Sequence, residues 1–239
     1  MLSKNQIRFI NRLRTKKNRK AEGLFLAEGI KGIEEFLNSG FQLYRLFHTA
    51  DYEPSPSLDA QEVTERELKS VSSLSTPNKV LGIFRIPPEA PVLETGFSLA
   101  LDDINDPGNL GTIIRLCDWF DIPQILCSEN TVDCYNPKVV QASMGSLSRV
   151  SINYLDLEAY LNTTTRTVYG TFMEGESLYS TTFEQNGILI MGNEANGISD
   201  RIRCLVSKEV SIPQFGKRKS TESLNVAMAT AIFLSELRR

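Results

Sequence analysis

At 239 residues and 26.8 kDa, with 41% hydrophobic and 23% charged residues, the chain has an ordinary globular composition and is long enough to bury a core in one large or two smaller domains. It holds no run of eighteen apolar residues, and charges crowd its N-terminus, so neither a membrane span nor a secretory leader is predicted and a cytoplasmic location is the default. Four cysteines without close pairing (Cys117, Cys127, Cys134, Cys204) and a single histidine, His48 at the end of an apolar stretch, predict no metal site and nearly exclude a histidine-dependent triad.

The formal net charge of -3 speaks weakly against a polyanionic partner, but its distribution speaks for one. Residues 1–20 carry eight basic side chains (Lys4, Arg8, Arg12, Arg14, Lys16, Lys17, Arg19, Lys20) and no acidic one, leaving 18 basic against 29 acidic residues in the remainder. Such an arm suits phosphate contact, and it equally suits a solvated amphipathic helix with Ile7, Ile10 and Leu13 as its apolar stripe.

Beyond this basic helix, Leu24–Ala27 is predicted as a short strand and Glu28–Ser39 as a helix with Ile30, Ile33 and Leu37 inward, closed by Gly40. A strand over Leu43–His48, a polar loop over Asp51–Ser57, a short helix near Thr64–Val71 and a strand over Val80–Ile86 complete a small α/β unit. Pro87-Pro-Glu-Ala-Pro91 marks a linker, since adjacent prolines extend neither a helix nor an inner strand.

From Phe97 strands and helices alternate. Strands are expected at Phe97–Leu101, Gln124–Cys127, Val150–Asn153, Thr167–Gly170, Ile188–Met191 and Glu209–Ile212, with a last helix from about Ser223 to Leu237. This pattern predicts a mostly parallel sheet with helices on both faces and ligands gathered outside the carboxyl ends of its strands.

Three segments stand out at those ends. In Leu101-Asp-Asp-Ile-Asn-Asp-Pro-Gly-Asn-Leu-Gly-Thr-Ile-Ile-Arg115 a strand runs into a polar turn, and Asn109 and Arg115 lie six residues apart on the helix that follows, projecting about 120° apart. Either side chain suits a phosphate or a developing alkoxide, and Arg115 equally suits a salt bridge to Asp118 or Asp121. In Ile188-Leu-Ile-Met-Gly-Asn-Glu-Ala-Asn-Gly-Ile-Ser199, glycines 192 and 197 permit tight turning, no Walker A or dinucleotide fingerprint is present, and Glu194 is a ligand, a turn anchor or a helix cap. In the third, from Ile212-Pro213 to Ser223-Leu-Asn-Val226, Ser223 is placed to cap the final helix with Asn225 in its first turn.

Together and in order, these segments resemble the three motifs of the SpoU, or TrmH, family of RNA 2'-O-methyltransferases, within the knotted SPOUT methyltransferases. Gly23-Leu-Phe-Leu-Ala-Glu-Gly29, Thr76-Pro-Asn-Lys-Val-Leu-Gly82 and Ala142-Ser-Met-Gly-Ser146 extend the likeness to nearly the whole chain, the first two to a substrate-binding domain similar to ribosomal protein L30e. The resemblance implies an L30e-like α/β domain over residues 1–90 and a knotted α/β methyltransferase domain over 97–239, with a trefoil knot near the C-terminus.

It further implies S-adenosyl-L-methionine as cofactor, held by Gly192, Ile212 and Leu224 with Thr171, Asn193, Pro213 and Asn225 nearby. Catalytic roles fall to Arg115, Asn109, Glu194, Ser223 and Asn225. The implied partners are a structured RNA, guanosine of large-subunit ribosomal RNA before transfer RNA, and a second copy of the chain packed through the C-terminal helix. A noncatalytic RNA-binding protein of the same fold is the rival. One departure stands out: six residues separate Gly216 from Ser223 where the family usually has about three, and they include Lys217, Arg218 and Lys219, which suit RNA phosphates or a longer surface loop.

Overall fold

A computed structural model describes residues 1–216 and 223–239, so the expectation for Lys217, Arg218 and Lys219 lies outside the described residues. The chain divides into two compact units, Met1–Pro88 with Asp133–Arg149, and Glu89–Val132 with Val150–Arg239.

The basic segment of the first unit is two helices rather than one, α1 (Lys4–Arg12) and α2 (Lys16–Glu22). Ser3 opens α1 with a reciprocal capping box to Gln6. The break after Arg12 has a partner built for it: the buried Arg19 guanidinium donates to the carbonyls of Leu13 (3.0 Å) and Arg14 (2.8 Å), which the end of α1 leaves free, and is neutralised by Asp133. Arg14 in turn donates to the Ser72 carbonyl at 2.7 Å. Two of the eight basic residues of the arm therefore serve the fold.

Strands β1 (Leu24–Glu28), β2 (Leu43–His48), β3 (Ala60–Glu62) and β4 (Val80–Arg85) form a sheet in the order β1-β4-β2-β3, with only the β2/β3 pair parallel. One face, with Leu24, Leu26, Phe47, Leu81 and Ile83, packs with Ile10 and Leu13 at α1 and with Leu68 and Val71 of α4 (Glu65–Val71). The alternate residues Phe25 and Phe84 meet Phe36 of α3 (Ile30–Asn38) and Phe41 in an aromatic cluster with centroids 5.2–6.0 Å apart. Tyr135 joins Phe25 at 4.8 Å, so the segment 133–149, which carries α6 (Pro137–Ser143) and was expected within the C-terminal domain, clusters with the first unit. Gly145 shows how tight that fit is. It has φ +91°, and a Cβ there would lie 2.6 Å from Cβ of Glu35.

The second unit is a six-stranded parallel sheet in the order β10-β8-β9-β5-β6-β7, with β5 Ser98–Asp102, β6 Gln124–Ser128, β7 Ser151–Leu155, β8 Thr167–Ser177, β9 Gly187–Gly192 and β10 Lys208–Ser211. Ala100, Leu126, Val168, Ile188 and Ile190 pack with α7 (Leu157–Thr163) and α8 (Asp200–Arg203). Their strand neighbours Leu99, Leu101, Ile125, Cys127, Leu189 and Met191 are also buried and by alternation face the other way, where α5 (Pro107–Trp119) and α9 (Val226–Leu237) pack on β6, β9 and each other. Burial on both faces explains the continuous apolar strands. Among the described residues no helix is long and apolar enough to cross a membrane, and no cluster of potential metal ligands occurs.

Candidate functional site

The polar turn after β5 is built around carboxylates. Asp102, 1% exposed, accepts the backbone N–H of Ser199 at 2.7 Å. Asp103 adopts φ 58°, a left-handed conformation uncommon for a residue with a side chain, and is held there by Ser128, whose hydroxyl donates to its carboxylate at 2.6 Å and accepts its N–H at 2.8 Å. Asp106 then caps α5 by accepting the Asn109 N–H at 2.8 Å, with Pro107 at the first helical position.

The turn after β9 is folded back onto this one. Asn193 and Gly197 exchange backbone hydrogen bonds (3.0 and 2.9 Å), while the Asn193 side chain accepts the N–H groups of Ala195 and Asn196 and donates to the Asp103 carbonyl at 2.6 Å. A Cβ on Gly192 would lie 2.2 Å from the backbone of Gly197 and Ile198, so only glycine permits the closure.

Glu194, at the tip, accepts the N–H groups of Asn105 (3.3 Å) and Asp106 (3.2 Å) and the Asn109 side-chain amide (3.0 Å). Burial pushes its pKa up, but the donors from Asn109 and the backbone outweigh that and hold it below the usual carboxylate range. The Asn109 Oδ1 accepts from Nδ2 of Asn225 at 2.9 Å. Asn225 itself, not Ser223, is the N-cap of α9, with φ -54°, ψ 135° and its Oδ1 accepting from Ala227 and Met228. Both residue types cap well, and the position at which the backbone turns into the helix decides between them.

Beside this network lies a cavity of about 940 Å³ at the carboxyl side of β8, β9 and β10. Thr171, Gly192, Asn193, Glu194, Ile212, Pro213, Ser223 and Leu224 all line it. Thr171 is fixed by donating to the Ile190 carbonyl at 2.9 Å. Phe172, Val226 and Phe233 add apolar wall, and Asp200 adds a second carboxylate. Arg203, which also lines it, is engaged by Glu209 at 3.0 Å and lies 4.5 Å over the Phe172 ring.

Asn109 and Asn225 stand behind the lining: Asn109 bonds the lining residue Glu194, and Asn225, between Leu224 and Val226 of the wall, bonds Asn109. Arg115 is not brought to it: the side chain is exposed on α5 and forms no ion pair with another described residue, and Asp121, one of its two candidate partners, bonds Arg238 instead at 3.7 Å. Sequence reasoning missed Asp102 and Asp106. The Asp-Pro pair, an N-cap followed by proline at the first helical position, was the available signal for Asp106; nothing local signals Asp102, whose partner is 97 residues away.

The family model described as the SpoU rRNA Methylase family matches residues 96–235. The chain belongs to that family. An MRM3-like substrate binding domain matches residues 4–82 of this SpoU protein. The chain is 29% identical over 246 residues to the 23S rRNA (guanosine(2553)-2'-O)-methyltransferase RlmP of Bacillus subtilis, covering 99% of this chain and 97% of the relative. A structure from Porphyromonas gingivalis assigned to the TrmH family of RNA methyltransferases superposes with a TM-score of 0.89 at 38% identity, covering 100% and 98% of the two chains. The AdoMet-bound rRNA methyltransferase of Sinorhizobium meliloti does so with 0.87 at 28%, covering 100% and 95%. Its SPOUT-type α/β fold is thus shared with enzymes seen with that cofactor.

Proposed function

We propose that this protein transfers a methyl group from S-adenosylmethionine to a ribose 2'-hydroxyl of RNA, with guanosine in 23S ribosomal RNA as the substrate. The observation that carries this reading is the chain of hydrogen bonds Glu194–Asn109–Asn225, which joins the three family motifs at the rim of one cavity. The relatives named as rRNA 2'-O-methyltransferases supply the substrate class.

The cavity suits the cofactor. Its volume lies in the range of small-molecule sites, Ile212, Leu224 and Phe233 offer apolar surface to an adenosine, and Glu194 and Asp200 offer negative charge to a cationic ligand. When bound, the cofactor supplies the methyl group on an electrophilic sulfonium. The protein's own task is then to align a 2'-oxygen with that group and to assist loss of its proton. Glu194 holds the turns after β5 and β9 in register, Asn109 and Asn225 carry that order to α9, and Ser223 keeps the third motif in shape beside Leu224. Arg115 orients the RNA phosphate and stabilises the emerging oxyanion. A guanidinium stays protonated at neutral pH and is a poor base.

Arg115 lies apart from the cavity of its own chain, which favours a homodimer. Trp119, 83% exposed, stands one turn further along the same face of α5, and α9 exposes Met228. A second copy covering this face would bury the tryptophan and bring a partner arginine toward the substrate. We place the reaction in the cytoplasm, with ribosomal RNA, and take the chain after β9 to form the family's trefoil knot.

The direct test is incubation of the purified protein with methyl-labelled S-adenosylmethionine and ribosomal RNA, followed by digestion to nucleosides. Label in 2'-O-methylguanosine is the expected result. RNA binding without label would favour a noncatalytic RNA-binding role.

A further inference from the structure

We propose that Tyr44, beneath the Arg85 guanidinium, is a stacking platform for an unpaired nucleobase of the substrate RNA, with the exposed cations of α1 holding the adjoining phosphates. This rests on RNA being the substrate.

The platform follows from strand alternation. Leu81 and Ile83 of β4 point into the core beneath α1, and Arg85 is the next residue on that face. The register of β2 against β4 shifts between Leu43 and Arg45, and Tyr44 sits in that irregularity with 43% of its surface exposed. Its ring lies 5.5 Å from the Arg85 guanidinium carbon and 6.2 Å from the Phe9 ring of α1. Arg85 is exposed and forms no ion pair with a described residue, while Arg45 beside it is tied to Asp59 at 3.0 Å. An aromatic face next to an uncommitted guanidinium is the arrangement on which splayed-out bases stack.

A second observation is independent of the first. Lys4, Arg8 and Arg12 recur every four residues along α1, so three like charges share one exposed face, and Lys4 sits in the first turn, where the helix dipole disfavours a cation. No acidic residue stands in that turn, and among the described residues Arg12 pairs only with Glu22, at 3.9 Å with both side chains solvated. Local helix energetics disfavours this row, whereas an RNA backbone favours it. Phe9, three residues before Arg12, sets the row beside the platform.

The test measures binding of the full chain, by fluorescence anisotropy, to a labelled RNA hairpin with an unpaired loop and to a fully paired duplex with as many nucleotides. Tyr44→Ala should weaken hairpin binding roughly tenfold and leave duplex binding unchanged, Tyr44→Phe should restore it, and Arg85→Gln should weaken it and flatten the salt dependence by about one unit of slope. Cofactor binding and thermal unfolding of the variants control for the fold. If the wild type methylates RNA while Tyr44→Ala and Arg85→Gln bind the hairpin as it does, the platform alone is overturned. If the wild type neither binds nor methylates RNA, the reading of function beneath it falls as well.

Discussion

The side-chain amide of Asn225 donates to Oδ1 of Asn109 across 2.9 Å, joining two residues 116 apart in sequence. The same Asn225 caps α9 through its own Oδ1, so one side chain fixes a helix start and completes the chain of bonds to Glu194. The two roles are separable. Asn225→Ala removes both, and should cost about 1 kcal/mol of stability, a fall in Tm of roughly 2–4 °C. Asn225→Asp keeps the cap but presents a carboxylate to the Asn109 oxygen, so Tm should hold while methyl transfer drops about tenfold. Full activity in Asn225→Asp would reduce the contact to a structural one.

Glu194 accepts two backbone N–H groups and the Asn109 amide, and Glu194→Gln turns one acceptor into a donor facing them. The expected outcome is a KM for S-adenosylmethionine raised about tenfold with the fold intact, since the loop that lines the cavity is released. Titration gives a second check. The pKa of Glu194 in the folded chain is lowered, so its contribution is present above the ordinary carboxylate value, about 4.3, and is lost as pH falls through the lower folded value. Between pH 6 and 8, about two units or more above that range, cofactor affinity should show no dependence on this group.

Arg115 stands away from the cavity proposed for the cofactor, so Arg115→Ala should leave cofactor affinity nearly unchanged, as read by calorimetry, while methyl transfer is lost. Arg115→Lys should rescue little, because a lysine lacks the planar fork that holds a phosphate in two places. Parallel loss of cofactor binding would instead give Arg115 a part in the fold.

The thiols offer a check on the burial pattern. Burial pushes the Cys117 thiol far up, and Asp118 adds to the shift, while Cys127 and Cys134 are also buried and Cys204 is exposed. Native protein treated with iodoacetamide at neutral pH should take label at Cys204 and show none at Cys117 until it is unfolded. Labelling of Cys117 in the native state would contradict the packing of α5 on the sheet.

Much of the architecture was legible because it is written in local periodicity. All six strands of the parallel sheet were read from their apolar runs, and Gly40, with φ 81°, closes α3 as expected. What escaped depends on distant partners. β3 is Ala-Gln-Glu, with no apolar alternation, and is a strand only because it pairs with β2. The basic segment breaks into two helices because Arg19 and Asp133 meet across 114 residues. At the site, glycines and polar turns at strand ends marked the three segments, and the resemblance to the SpoU family pointed to the residues that line the cavity. The bonding of Glu194 to Asn109, 85 residues away, and the burial of Asp102 were not.

The most direct test of the central claim is a map of ribose 2'-O-methylation across total RNA from cells with the gene, without it, and with Arg115→Ala in its place. The account predicts that one guanosine site in large-subunit ribosomal RNA vanishes in the second and third maps alike. An unchanged map in cells lacking the gene would contradict it.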